Sequence, residues 1–505
     1  MSDSLTGTDG VRAGPATVRH YGAQVLRHMV GPRGVGALSS PDGVGTAGSA
    51  SCGDQVRIEL KVHDGRVIAA RFQAFGCPAT IAGGSEVVSR VEGRTIVEAA
   101  GLSEAALADA LELSTAKRAC SNLAADALHA ALEDVAGRGL PLRSADSSAD
   151  PEGVLVAMSG GVDSATAALI LAGEGRRVIG VTFRFWSDPT CGAGGGCCSP
   201  ETVVRARRAA HALGIPHLTV DLGGPFYRDV VEYFVREYSG GRTPNPCVRC
   251  NGSLRFGELV SLADRLGLGY VATGHYAQVL GRPPSLRRGT DAGKDQSYVL
   301  ARVPPSLLPR VRFPLGRLRK VQVRTLAREA GLEAHDAVES QEICFIPDDD
   351  HRRFLRERLG DRPGNIIDTE GNVLGRHAGI YNFTVGQRRG LGVAGAGPLY
   401  VTAVVSEDHT VVAAPRRALA VDTIVVDDIV RHVSGFPADV WAQFRSSGAP
   451  IRAELDDRGS SFVLRLAEST AGIAPGQTAV LYSGAAVVAA GTIVSARLSG
   501  QNPVL

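Results

Sequence analysis

A multidomain α/β and β protein is expected from three features of the 505-residue chain. Short apolar runs at 154–157, 178–184, 216–220 and 270–273 alternate with helical patterns, the arrangement that builds a parallel sheet. Upstream, a strand–turn–strand pattern at 57–75 runs into helical patterns at 81–91, 104–111 and 121–135, which describes an α+β unit. Beyond about residue 415 the chain becomes short β-branched runs and turns, as in a small β-barrel.

The expected order is a disordered stretch over 1–20, the α+β unit over 21–137, a linker over 138–152, the parallel-sheet domain over 153–308, a small central region over 309–415 and the barrel over 416–505. The linker is proposed because GLPLRSADSSADPEG is rich in Ser, Asp and Pro without periodicity. Residues 469–496 carry no charge, but Pro475, Gly476, Gln477 and Gly484 interrupt them, so a β-hairpin is expected there instead of a membrane helix. The first twenty residues contain no apolar run of the secretory kind, and a cytoplasmic location is expected.

With 54 basic and 52 acidic residues, no global positive field marks the chain for nucleic acid, so any such site must be a local patch. Nine cysteines in a chain read as intracellular point away from disulfides and toward metal, redox or sulfur chemistry.

Ser159-Gly-Gly-Val-Asp-Ser164 lies between an apolar strand and a helix. Its glycines allow backbone N–H groups close to an anion, and the helix N-terminus adds a positive dipole end. Ser159, Gly160, Gly161, Asp163 and Ser164 are therefore candidate ATP contacts, with Asp163 the natural partner of Mg2+. The loop lacks the Walker pattern and resembles that of the N-type ATP pyrophosphatases, which adenylate a carbonyl oxygen and release pyrophosphate. The resemblance implies an adenine nucleotide alpha hydrolase-like fold.

Taken alone, Cys247 and Cys250 in Thr243-Pro-Asn-Pro-Cys-Val-Arg-Cys-Asn251 fit half a zinc site, a redox pair or two inert thiols. Set beside Thr273-Gly-His-Tyr-Ala277, Gly293-Lys-Asp-Gln-Ser-Tyr298, Ser340-Gln-Glu-Ile-Cys-Phe-Ile-Pro347 and Tyr381-Asn-Phe-Thr-Val-Gly-Gln-Arg-Arg-Gly-Leu-Gly392, in that order, they resemble the MnmA-type tRNA-uridine 2-sulfurtransferases over residues 153–505. The resemblance implies 2-thiolation of the wobble uridine in tRNAs for Lys, Glu and Gln, with Gly274 near ATP, Cys250 and Cys344 catalytic, and a cysteine desulfurase or sulfur carrier as donor. Lys294, Gln296, Gln387 and Arg388 fall on motifs that imply tRNA contact. Much of the family carries Asp where this chain has Cys247, and three thiolates suit a 4Fe-4S cluster with one open iron. A cluster-dependent route is the favoured expectation, with persulfide cycling through Cys250 and Cys344 as the alternative. The loop holding Cys191, Cys197 and Cys198 is expected to be a mobile loop with spare thiols or a structural turn; a second metal site there has no matching acceptor in view.

Cys52, Asp54, Cys77 and Cys120 lie in motifs that resemble the NifU/IscU-type iron–sulfur scaffolds over about residues 20–137. The resemblance implies a labile cluster, with Asp54 keeping it transferable. Ala119 stands where the family often has His, so zinc with a sulfur-relay cysteine remains open. Residues 310–330 carry seven basic residues and one acidic, and Arg317, Arg319 and Lys320 are the densest candidates for tRNA phosphate. The competing functions are a non-catalytic iron–sulfur or sulfur carrier that binds tRNA, and another adenylating amidotransferase, for which no glutaminase module is visible.

Overall fold

The computed structural model describes residues 21–146, 148–188, 199–332, 343–393 and 397–498, and the backbone of a short strand, β1 (Val11–Arg12). The expectation for 1–20 otherwise lies outside the described residues, as do Cys191, Cys197 and Cys198.

The first unit runs α1 (Ala23–Val30), β2 (Gly43–Gly48), β3 (Gln55–His63), β4 (Arg66–Phe75), α2 (Pro78–Val91), α3 (Ile96–Ala100), α4 (Glu104–Ala110) and α5 (Arg118–Gly137). Its sheet has the order β1-β4-β3-β2. Val56, Ile58 and Leu60 of β3 alternate onto one fully buried face, where they join Phe72 of β4, α2 and the apolar stripe of α5 in one core. The stretch read as a linker is packed here. Leu142 and Ser144 are buried, the Ala145 N–H donates to the Asp64 carboxylate, and Arg265 donates to the Leu140 carbonyl. Two leucines, Leu140 and Leu142, among Ser and Asp residues are enough to seat a strap that composition alone makes look free. The next strand consequently starts at Asp150, earlier than its apolar run.

The second unit contains β5 (Asp150–Ala157), α6 (Val162–Gly173), β6 (Val178–Arg184), α7 (Pro200–Ala212), β7 (His217–Asp221), α8 (Gly223–Phe226), α9 (Glu232–Ser239), α10 (Pro246–Cys250), α11 (Phe256–Leu266) and β8 (Leu268–Thr273). It continues through a hairpin, β9 (Ala277–Leu280) and β10 (Ser285–Arg288), then α12 (Ser297–Leu300), β11 (Val311–Arg312) and α13 (Lys320–Glu329). The five-stranded sheet is parallel throughout, in the order β11-β8-β5-β6-β7. The chain leaves β5 toward β6 on one side and returns to β8 on the other. The carboxyl ends of β5 and β8 therefore flank the switch-point crevice where such sheets bind ligands.

The central region has α14 (His351–Leu359) and a four-stranded sheet of β12 (Gly364–Ile367), β13 (Val373–His377), β14 (Leu399–Val405) and β15 (Thr410–Pro415), in the order β13-β12-β15-β14. The last unit comprises β16 (Ala420–Arg431), β17 (Val440–Gln443), β18 (Ile451–Asp457), β19 (Phe462–Ala471), β20 (Thr478–Ser483) and β21 (Ala486–Arg497). Pairing of β16 with both β19 and β21 closes these six strands into the expected barrel. The uncharged stretch forms its β20–β21 hairpin, and β10 adds to the outside of β21. No helix among the described residues is long and apolar enough to cross a membrane.

Two buried histidines make the fold acid-sensitive. Burial holds both His217 and His275 down at about 3, so each stays neutral in the folded chain where the unfolded chain would take up a proton. Their contribution is complete above about pH 6.5 and is lost progressively as pH falls toward 3. By pH 5 the loss is about 2 kcal/mol for each. Urea unfolding at pH 7.5 and 5 is expected to show this, and His217→Gln to flatten the pH dependence. An unchanged slope in that variant would contradict the assignment.

Candidate active site and metal centre

Residues 158–164 turn from β5 into α6 at the switch point, with Gly161 capping the helix. Gly160 has a φ of +72°, and an added Cβ would lie 2.7 Å from the Thr202 carbonyl oxygen, so only glycine fits. Ser164 Oγ accepts from the Ser159 N–H at 3.1 Å and donates to the Gly161 carbonyl at 3.0 Å, which closes the loop on itself. Gly274, just past β8, packs so tightly that a Cβ there would sit 2.7 Å from the Ser164 nitrogen. The two motifs read separately in the sequence thus pack directly against each other.

Asp163 faces into this crevice. Tyr276 Oη donates to it at 2.8 Å, and Lys320 Nζ lies 2.7 Å from both of its carboxylate oxygens. Burial and the bond to Asp163 push the Tyr276 phenol above its usual range. Lys320 belongs to the basic stripe expected to meet tRNA, but its side chain is only 13% exposed and its ammonium pairs with Asp163. The helix α13 begins here beside Asp291, whose carboxylate takes the Lys320 backbone N–H. Arg317 and Arg319 remain on the exposed surface next to it.

Other candidates for tRNA contact divide in the same way. Gln296 accepts the Tyr276 N–H through its side-chain oxygen, which ties the 293–298 motif to the crevice. Lys294 is half-buried in the turn after Asp291. Gln387 accepts from Thr384 N–H and donates to the Arg389 carbonyl, shaping a turn from which Arg388 and Arg389 protrude.

The Cys-x-x-Cys segment is the short helix α10. Asn245 caps it through Oδ1 to the Val248 N–H, with Pro246 in the first turn. Cys250 is buried in the main core, and burial pushes the half-buried Cys247 thiol up. Cys344 packs against that same core. Its neighbour Phe345 is fully buried, with Phe226 at 5.7 Å and Phe354 at 5.6 Å between ring centroids, and the Phe345 carbonyl accepts from the Asp188 N–H. Asp188 itself is buried against Arg353 and Arg358. These anchors escaped sequence reading, although the aromatic pair at 345 and 354 was a visible signal.

A second anchor lies before α10. The Thr243 N–H donates to the Pro475 carbonyl, Gln477 donates to the Thr243 carbonyl, and Thr243 Oγ1 donates to Thr384 Oγ1. Barrel, central region and α10 therefore meet at one residue. Among the described residues, Cys247, Cys250 and Cys344 do not gather within 4.8 Å of one another. A single shared ion is therefore not prearranged at these three thiols, which are soft donors of the kind that zinc and iron take.

In the first unit Asp54, Cys77 and Cys120 do gather, with one donor atom from each within 4.8 Å. Cys77 caps α2, its Sγ is 3.5 Å from Cys120 Sγ, and Thr80 Oγ1 donates to Asp54 at 2.5 Å. The hydrogen bond they share pulls the Cys77 thiol down and pushes the Cys120 thiol up, so the pair gives up its first proton more readily than its second. Lys117 lies over the Tyr21 ring beside them, an arrangement not foreseen in the sequence. Cys52 sits on an exposed turn outside the gathered set. The three gathered donors fit zinc or iron, and Cys52 lies two residues from Asp54 in sequence.

Gly76 has a φ of +154°, and a Cβ would lie 2.5 Å from the Asp54 carboxyl carbon. Gly76→Ala is expected to displace Asp54 and lower bound zinc or iron at least about 10-fold, a loss typical of disturbed ligand support. Metal analysis after reconstitution checks this, and undiminished metal would contradict it.

Family models match this architecture in order: a NifU-like N-terminal domain over 20–140, a tRNA methyl transferase HUP domain over 152–348, a tRNA methyl transferase PRC-barrel domain over 352–415 and an aminomethyltransferase β-barrel domain over 422–493. A bifunctional NifU/MnmA protein of Rubrobacter xylanophilus is 47% identical over 490 residues, 94% of this chain and 98% of its own. The chain belongs to the NifU/MnmA family. A tRNA-specific 2-thiouridylase MnmA of Heliobacterium modesticaldum is 45% identical over 68% of this chain and 92% of its own. A NifU-like N-terminal structure from Brucella abortus aligns over 23% of this chain and 93% of its own, at 23% identity and a TM-score of 0.21. In NifU/MnmA terms, α1–α5 with their sheet are the scaffold part and residues from 150 onward the MnmA part.

Proposed function

We propose that this chain is a tRNA 2-thiouridine synthase with a built-in iron–sulfur scaffold. The observation that carries the reading is the crevice in which Ser159–Ser164, Gly274, Asp163 and Lys320 converge, on the same body as the α10 cysteines and Cys344. ATP would place its phosphates on the loop N–H groups, with Lys320 turning from Asp163 to phosphate and Asp163 free to hold Mg2+. The uracil C2 oxygen of the wobble uridine in tRNA for Lys, Glu or Gln would attack the α-phosphorus and expel pyrophosphate. Sulfur would then attack C2, and AMP would depart with the original oxygen. A thiol-derived sulfur suits this step, being nucleophilic near neutral pH where a hydroxyl is not.

Cys247, Cys250 and Cys344 would hold a 4Fe-4S cluster, which supplies an open iron for sulfide. The Phe345 anchor and the Thr243 junction hold the two thiol segments in place, and Arg317, Arg319, Arg388 and Arg389 offer phosphate contacts for tRNA. A cysteine desulfurase or sulfur carrier would supply the sulfur, and the reaction would take place in the cytoplasm.

The decisive experiment is anaerobic 2-thiouridine formation on a tRNA-Glu transcript with ATP, Mg2+ and sulfide. Iron-reconstituted protein is compared with reduced, iron-chelated protein. Product only with iron supports the cluster route. Equal product without iron overturns it in favour of persulfide cycling through Cys250 and Cys344. No product and no tRNA-dependent AMP release in either state overturns the enzyme reading in favour of a tRNA-binding carrier.

A further inference from the structure

Beyond the strap, the scaffold and MnmA parts meet over a continuous surface. α5 lies between two sheets, packed on β2 and β3 on one side and on β7, the edge strand of the parallel sheet, on the other. Leu128, Leu132 and Val135 of α5 share one apolar core with Leu218 and Val220 of β7. A salt-bridge cluster sits over that core. Arg207 of α7 is only 5% exposed, and its guanidinium lies 2.9 Å from Glu104 and against the Asp126 carboxylate, both on the scaffold side. Arg208 reaches Glu104 at 2.9 Å, and His211 Nε2 lies 3.0 Å from the Ala100 carbonyl oxygen. At the rim Arg184 pairs with Glu133 at 2.8 Å, and Arg265 donates to the carbonyls of Ala136 and Leu140.

A domain held only by its tether would present wet, polar contacts. Here apolar side chains from both parts form one core, and a buried cation is matched by two carboxylates. Breaking such a desolvated pair costs far more than losing a surface ion pair, because the remaining charge is stranded. We propose that the face built by β7 and α7 is a docking surface for an iron–sulfur scaffold domain. In this chain it is occupied by residues 21–140, with Arg207 as the residue on which docking depends. Association resides in the surface itself and does not require the covalent strap.

The docking fixes one metal site relative to the other centre. Cys120 lies in the first turn of α5, six residues and about 9 Å of helix rise from Asp126. Arg207 lies two residues from Arg205, whose Nε donates to the Gly160 carbonyl in the phosphate loop. Scaffold donors and nucleotide loop are thus held by two helices that touch directly, and the scaffold does not swing on a leash. This inference rests on the interface alone and stands whichever thiolation route is correct.

The test uses the full chain with a protease site inserted after Asp146, on the exposed part of the strap, and cut after folding. Size-exclusion chromatography with light scattering is expected to show one species of the uncut mass, at low and high salt alike. Arg207→Glu in the cut chain is expected to weaken association about 100-fold or more, and adding Asp126→Arg to recover part of it. Glu133→Arg at the rim, which leaves the buried cluster intact, is expected to weaken association only a few-fold and mainly at low salt. Separation of the cut wild-type chain, whatever the state of its fragments, overturns the docking surface. A cut Arg207→Glu chain that stays together as tightly as wild type overturns the assignment to Arg207.

Discussion

Cys250→Ser is expected to lower 2-thiouridine formation by about 1000-fold or more while leaving tRNA-dependent adenylation within several-fold of wild type. Cys250, the last residue of α10, is buried in the core, and the serine hydroxyl that replaces it neither ionises near neutral pH nor binds iron as a thiolate does. In the proposed function adenylation is assigned to the loop, Asp163 and Lys320, none of which that substitution touches. Cys344→Ser is expected to behave alike, since Phe345 continues to hold the segment in place. Cys247→Ser separates the two sulfur routes. A cluster that needs three thiolates loses as much activity there as at Cys250, whereas persulfide cycling through Cys250 and Cys344 loses only a few-fold. Mass spectrometry of digested tRNA nucleosides and pyrophosphate release measure the two steps. A Cys250→Ser enzyme retaining a tenth of its thiolation would remove Cys250 from the chemistry.

The second large effect concerns Lys320. Lys320→Ala is expected to reduce adenylation about 100- to 1000-fold, the range seen when a charged group serving a transition state is removed. Its tRNA affinity should stay within about twofold of wild type, because the ammonium points to Asp163 and is largely buried. Arg317→Ala with Arg319→Ala should do the reverse. Both side chains are exposed, so their loss should weaken tRNA binding and reduce the salt slope by about 1 to 2 units, with adenylation at saturating tRNA unchanged. Filter binding across a salt series and pyrophosphate release report the two properties. If Lys320→Ala weakened tRNA while sparing adenylation, its place in the nucleotide crevice would be wrong.

Much of this architecture was legible because it is locally encoded. The apolar runs of β5, β6, β7 and β8, the alternating faces of β3 and β4, and the strand-to-helix turn at 158–164 each lie within a few residues of sequence. The site was legible as separate motifs, and the parallel sheet explains why two of them meet, since β5 and β8 are neighbours with parallel register. Contacts across long separations were not readable. Lys320 joins Asp163 across 157 residues and Arg207 joins Asp126 across 81, and a basic residue's sequence neighbours do not reveal which acid it will face. The packing of the strap was hidden for another reason: Leu140 and Leu142 are its two apolar anchors in a polar stretch, too few to register as a pattern. The scaffold donor set was also only partly readable, because the spacing of Cys52, Cys77 and Cys120 does not show that Cys52 stays on the outer turn.

The Thr243 junction has a consequence for the order of synthesis. Gln477, which closes over Thr243, is made 234 residues later, roughly 10–50 s of elongation at bacterial-like rates of about 5–20 residues per second. During that interval the nascent chain already carries Cys247 and Cys250 but lacks the barrel that seats the segment before them. The scaffold unit, complete by residue 140, has all four of its donors available from the start. The scaffold unit is therefore complete before the segment that leads into α10 can be fastened. A chain truncated near residue 415 would keep every cysteine and the phosphate loop, yet never receive the last contacts that fasten α10 in place.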